Sequence, residues 1–255
     1  MAVGVKQSGY FRKWVRCLKC GFHYSIYSRP TELIHAIYGA AYRDKNSAWR
    51  TEPPEETFRK VIALPPGQSE TKYRVAWLKE RISEIWKAGR IKERSFPHNF
   101  LDIGGGSGIF AYEFQDAVWR GHIIDPSADK NFICDKLNMP LVRDFYRPRA
   151  FPVTFALISA IYVLEHTVDP LAFLQSVREE LTRDSFLFIE VPNTENFKHK
   201  HADDDIFHSC HLWMFEEQSL ACLLERAGCV VHRYERLQTL RGHYAIMALA
   251  GLKNE

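Results

Sequence analysis

Between Asn99 and Gly108 the chain reads Asn-Phe-Leu-Asp-Ile-Gly-Gly-Gly-Ser-Gly, a short apolar run with one acid that opens directly into four glycines. Phe100, Leu101 and Ile103 are residues that fill a buried parallel strand, and Ile109, Phe110, Ala111, Phe114 and Val118 then recur at helical spacing. The unit is strand, tight turn, helix. A side chain in such a turn would hold a ligand off the backbone, and the helix N-terminus beyond it offers unpaired N–H groups to polar or anionic atoms.

The spacing separates two kinds of nucleotide-binding turn. A dinucleotide turn wants G-x-G-x-x-G, whereas Gly104, Gly106 and Gly108 alternate, which disfavours a nicotinamide oxidoreductase. A phosphate loop ending in Gly-Lys-Ser/Thr is also absent. The pattern Asp102-x-Gly104-x-Gly106-x-Gly108 resembles the first motif of the class I S-adenosylmethionine-dependent methyltransferases, and the resemblance spans roughly residues 95 to 250. It implies an α/β, Rossmann-like fold: a seven-stranded, mainly parallel sheet with helices on both faces. It also implies S-adenosylmethionine as cofactor, its methionine end held by Asp102, Gly104, Gly105, Gly106 and Gly108.

Later segments fall in register with that motif. Gly121 to Ile124 reads as the second strand and ends in Asp125, an acid about twenty residues past the turn, placed to accept both ribose hydroxyls. Pro140 to Phe145 reads as a short third strand; the resemblance implies that Asp144 accepts from the adenine amino group and that Phe145 flanks the base, with Asp135 as a competitor upstream. Phe155 to Ala160 is the fourth strand, with Ser159 counted among the cofactor-side residues, and Leu187 to Val191 is the fifth. Ser219 to Gly228 reads as an amphipathic helix, and Val230 to Tyr234 with His243 to Leu249 as a closing antiparallel hairpin.

Methyl transfer from a sulfonium is an in-line displacement, so a hydroxyl or carbon acid must lose a proton to something nearby. Tyr162-Val163-Leu164-Glu165-His166 follows the fourth strand; His166 is the first candidate base, with Glu165 to orient it. The same Leu-Glu-His string also serves simply to shape a pocket. His211, at the end of a polar, histidine-rich stretch from Phe197, is the alternative base.

The first forty residues differ from the rest, being basic and aromatic: Lys6, Tyr10, Phe11, Arg12, Lys13, Trp14 and Arg16 precede Cys17-Leu18-Lys19-Cys20-Gly21-Phe22. Cys17 and Cys20 make half of a zinc site, since tetrahedral closure needs two further ligands and no second Cys-x-x-Cys exists. His23, or His208, Cys210 and His211, could complete it if the fold brings them close. Val15 to Tyr42 resembles the latter half of a zinc ribbon that precedes some methyltransferase domains, including sugar C-methyltransferases. A zinc-bound and a metal-free knuckle both stay open.

A helix is expected from Thr31 to about Tyr42, a linker or lid from Arg50 to Pro66, and a further helix on the stripe Val75, Leu78, Ile82, Ile85 and Trp86, ended by Gly89. The domain division follows: 1–66 ribbon-like and linker, 67–255 methyltransferase.

With 34 Lys and Arg against 31 Asp and Glu, the net charge is only +3, so composition gives no argument for a nucleic-acid or membrane partner. The start, Met1 to Gly9, lacks the apolar core of a signal peptide, and the six cysteines are too scattered for a disulfide framework, so a cytoplasmic protein is expected. The reading is methyl transfer to the hydroxyl or carbon of a small molecule or carbohydrate, with a homo-oligomer left open. The alternatives are an RNA methyltransferase using the basic start, or an inactive member that binds the cofactor.

Overall fold

Apolar strands alternating with helices lay the chain out as a parallel sheet closed by an antiparallel hairpin. The computed structural model describes residues 13–25, 52–89, 97–201, 204–207 and 211–253. The expected helix from Thr31 to Tyr42 and the basic residues Lys6 to Arg12 lie outside them. In chain order the strands are β1 (Trp14–Arg16), β2 (His23–Ser25), β3 (His98–Ile103), β4 (Trp119–Ile124), β5 (Leu141–Val142), β6 (Leu157–Ile161), β7 (Phe186–Pro192), β8 (Trp213–Met214), β9 (Cys229–Gln238) and β10 (Tyr244–Leu252). The helices are α1 (Pro54–Ile62), α2 (Glu70–Lys87), α3 (Ile109–Phe114), α4 (Pro170–Arg178) and α5 (Glu217–Arg226).

Seven strands form one sheet in the order β5-β4-β3-β6-β7-β10-β9. The first five pair in parallel, and β10 runs antiparallel to both β7 and β9. This is the expected fold. The order reverses at β3, so β4 and β6 leave it on opposite sides and open a crevice at its carboxyl end. A separate three-stranded sheet, β1-β2-β8, joins the N-terminal knuckle to the segment after the histidine-rich stretch.

Side chains alternate across the strands into two cores. From β7, Phe186 and Phe188 enter one with Trp77, Leu78 and Ile82 of α2 and Phe110 and Phe114 of α3; Leu187, Ile189 and Val191 enter the other with Leu174 of α4 and Leu220 and Leu224 of α5. Each such side chain stabilises the fold by roughly 1.5–3 kcal/mol on burial. Ser69 caps α2 by accepting the Lys72 N–H at 3.2 Å, and Asp169 caps α4 by accepting the Ala172 N–H at 2.9 Å.

Three local expectations are corrected. The segment read as linker or lid carries α1: Pro54 stands in its first turn, where a proline costs no hydrogen bond, and Phe58 packs edge-on against Tyr112 and Phe132. The helix after the glycine turn stops at Phe114 instead of reaching Val118, because Asp116 accepts the N–H groups of Val118 and Trp119 and turns the chain into β4. The third strand, expected over Pro140 to Phe145, is only two residues long, and a wide helical turn, Asn131–Lys136, precedes it. No helix among the described residues is long and apolar enough to cross a membrane.

One ion pair crosses the layers. Arg74 of α2 is 4% exposed and donates through both Nε and Nη2 to the carboxylate of Glu190 in β7, which is fully buried. Removing one member strands a buried charge, which costs about 3–5 kcal/mol. Glu190→Gln is therefore expected to lose that much in urea unfolding, and Arg74→Met/Glu190→Met to recover most of it.

Candidate functional site

The glycine turn sits at the carboxyl end of β3, in the crevice. Gly104, Gly106 and Gly108 all have positive φ, at 71°, 58° and 75°. At Gly104 a Cβ would meet Val163 Cγ2 at 2.6 Å; at Gly105 it would meet Asp102 Oδ2 at 2.8 Å, so bare backbone is required there. The Gly108 N–H donates to the Gly105 carbonyl at 2.8 Å, which closes the turn onto α3.

One carboxylate holds this turn by a hydrogen bond, and a second lies against Gly105. Asp125, at the end of β4, accepts the Gly106 N–H on Oδ2 at 2.9 Å, and on Oδ1 the Ser127 N–H and hydroxyl at 2.7 and 2.9 Å. The residue expected to take ribose thus also fixes the loop, and its Oδ2 retains a lone pair for a further donor. Asp102 is buried, and its Oδ1 accepts from the Ser159 hydroxyl at 2.8 Å; Ser159 itself is fully buried on β6, beneath the turn. Burial, opposed by the Ser159 hydrogen bond and reinforced by the Asp125 charge, pushes the Asp102 carboxyl up to about 7.

Asp144 and Phe145 follow β5, the neighbour of β4, so they stand on the same edge. Asp144 is exposed, accepts the Phe145 N–H at 2.8 Å and lies 3.7 Å from Arg147 Nε; Phe145 is half-buried. The competitor Asp135 is exposed in the Asn131–Lys136 turn.

On the far side of the crevice the two alternative bases come together. Leu164–His166 forms a short helical turn after β6, and the His166 and His211 rings lie 4.8 Å apart, centroid to centroid. Glu165, beside them, is fully buried, and among the described residues neither of its oxygens finds a hydrogen-bond partner; its Oε1 is 3.8 Å from His166 Nε2. Burial pushes its carboxyl up to about 8. Backbone links hold the arrangement: Leu212 N–H donates to the Glu165 carbonyl at 2.8 Å, and Trp213 Nε1 to the Thr167 carbonyl at 2.7 Å.

Cys17 and Cys20 share the turn between β1 and β2, where the Cys17 N–H donates to the Phe22 carbonyl at 2.8 Å. The backbone N–H of Cys20 turned toward the Cys17 sulfur lowers its thiol pKa. Among the described residues no third ligand joins them: His23 lies 3.7 Å from Glu216, and His211 lies with Glu165 and His166. His208 and Cys210 fall outside the described residues.

Sequence reasoning missed Arg74, Glu190 and Tyr162. Tyr162 has φ 54° at the end of β6, and burial beside Glu190 holds its phenol well above the usual range. The signal was present in Glu190, a lone acid in the otherwise apolar run Phe-Leu-Phe-Ile-Glu-Val.

A carboxyl raised in the folded state binds its proton more tightly there than in the unfolded chain. Between about pH 4 and 7 Asp102 therefore makes stability fall as pH rises, with the full loss present above its folded pKa. Asp102→Asn is expected to flatten the change in urea midpoint between pH 4.5 and 7.5 (chosen about that window) relative to the parent chain.

The model of the family described as methyltransferase domain matches residues 68–234. No curated protein matches the chain. Among solved structures it is similar to magnesium protoporphyrin IX methyltransferase from Synechocystis PCC 6803 with bound SAH, at 11% identity and TM-score 0.57, covering 88% of this chain and 100% of that one. It is also similar to the Burkholderia thailandensis 1,6-didemethyltoxoflavin-N1-methyltransferase with bound 1,6-didemethyltoxoflavin and S-adenosylhomocysteine, at 13% identity and TM-score 0.53, covering 93% and 99%. Against mitomycin 7-O-methyltransferase MmcR, at 18% identity and TM-score 0.50, it covers 77% of its own length and spans 60% of that chain.

Proposed function

This chain belongs to the methyltransferase-domain family and is an S-adenosylmethionine-dependent enzyme; from that premise we propose that its acceptor is a small molecule bearing a nucleophilic hydroxyl. The observation that carries the reading is the cradle at Gly104–Gly108, which side chains would fill and which Asp125 ties to β4. When bound, S-adenosylmethionine supplies an electrophilic methyl group on a sulfonium. In this reading the turn lies along the methionine part, and Asp102 beneath it offers an acid to the ammonium. Asp125 accepts from the ribose with the lone pair left on Oδ2. Asp144 and Phe145 stand one strand further along the same edge, at the adenine.

The acceptor enters from the side of Glu165, His166 and His211, and these groups take charge of its proton. A sugar or nucleotide-linked sugar is the acceptor we favour, supported by the ribbon-like stretch around Cys17 and Cys20 and by the polar, histidine-rich approach to His211. The structural neighbours above include an O- and an N-methyltransferase of small molecules, which supports a small-molecule acceptor. The domain that performs the reaction is taken as 67–255.

Titration calorimetry with S-adenosylhomocysteine tests the cofactor roles: Asp125→Ala is expected to weaken binding by about 1–3 kcal/mol, and Asp125→Asn by less. Unchanged affinity in Asp125→Ala would move the ribose contact elsewhere. For the acceptor, incubation of the full chain with S-adenosylmethionine and a panel of sugars, nucleotide sugars, phenols and amines should release S-adenosylhomocysteine with hydroxyl compounds. Turnover confined to amines would overturn that choice.

A further inference from the structure

We propose that Glu165, His166 and His211 bind a divalent first-row transition-metal ion, zinc or one of like preference, which holds the acceptor hydroxyl. This rests on the reading above for what the ion would activate, although the site itself does not depend on it. One ligating atom from each residue lies within 4.8 Å of the other two. Two imidazoles and one carboxylate form the donor set of catalytic sites that keep positions open for substrate; all-oxygen sets suit magnesium or calcium instead. Ligands about 2.1 Å from one ion stand roughly 3.4 Å apart in a tetrahedron. The 3.8 Å between His166 Nε2 and Glu165 Oε1 is close to that spacing, and the His211 atom lies within 4.8 Å of both.

Two further observations point to a ligand. Glu165 is fully buried with neither oxygen hydrogen-bonded to any described residue, and buried carboxylates are otherwise paired, hydrogen-bonded or bound to a metal. His211 Nδ1 lies 2.7 Å from the Ile206 carbonyl oxygen, which can only accept. In the neutral ring Nδ1 therefore carries the proton and Nε2 the lone pair, the arrangement by which an outer carbonyl orients a metal-binding histidine. The Leu212 N–H held by the Glu165 carbonyl fixes the two chain segments against each other, so the set is assembled by the fold.

The chemistry balances without a redox partner. With the ion bound, the three side chains act as ligands and not as bases: the ion lowers the pKa of a bound hydroxyl, whose proton leaves to water. As the new O–CH3 bond forms, the S–CH3 bond breaks and its electron pair stays on sulfur. The sulfonium becomes the neutral thioether S-adenosylhomocysteine, and the charge it carried is balanced by the released proton.

The test uses the full chain carrying Cys17→Ser/Cys20→Ser, so that the knuckle thiols contribute no metal binding, stripped with chelator and titrated with Co2+ and Zn2+. The expected result is one equivalent bound, with a visible Co2+ absorption band of low-coordinate nitrogen and oxygen ligation. Glu165→Gln, and separately His211→Ala, should weaken binding at least about 10-fold and abolish the band. If either variant fails to fold, His166→Gln at a partly exposed position gives the same reading. Failure to bind in the Cys17→Ser/Cys20→Ser chain, or a band that survives Glu165→Gln with His211→Ala, overturns the site. S-adenosylhomocysteine titration on the same samples keeps the two readings apart: cofactor binding without metal binding sinks only the metal site, and metal binding without cofactor binding sinks only the proposed function.

Discussion

A hydrogen bond from the Gly106 N–H to the Asp125 carboxylate joins the two central features of this molecule, the turn after β3 and the end of β4. The turn exists because its residues have no side chains to collide with Val163 or Asp102. Left to itself such a glycine stretch has high conformational entropy, so its shape must be imposed from outside. Asp125 imposes it from one side and Asp102, braced by Ser159, from beneath. Parallel pairing of β3 with β4 and β6 brings both braces to the same edge, where the crevice opens.

Buried charge is concentrated along this edge. Asp102 and Asp125 meet at the turn, Arg74 and Glu190 lie behind it, and Glu165 is buried beyond them. Burial makes the Asp102 and Glu165 carboxyls costly to ionise. Arg74 answers Glu190 within the protein. The cofactor carries a sulfonium and an ammonium, and a metal ion at Glu165 would answer the last acid.

The sheet was readable because buried strands advertise themselves as apolar runs, and the hairpin because Gly228 ends α5 before two β-rich stretches. The place of Asp125 at the end of β4, beside the turn, was readable from its distance past the glycines. The pairing of His166 with His211 was not, because each was a candidate on its own and only tertiary structure brings their rings to 4.8 Å. Helix α1 hid behind Pro53-Pro54, which looks like a breaker from the sequence yet starts a helix when it falls in the first turn. Nothing in the sequence around Arg74 marks it as buried, because its partner lies 116 positions away.

The central proposal is that the glycine turn grips S-adenosylmethionine. A crystal structure of the full chain grown with S-adenosylhomocysteine is the most direct measurement. It is predicted to show the amino-acid part of the ligand along Gly104–Gly108 and the ribose hydroxyls on Asp125, with the sulfur facing Glu165 and His166. Ligand density elsewhere, with the turn and Asp125 untouched, would contradict it.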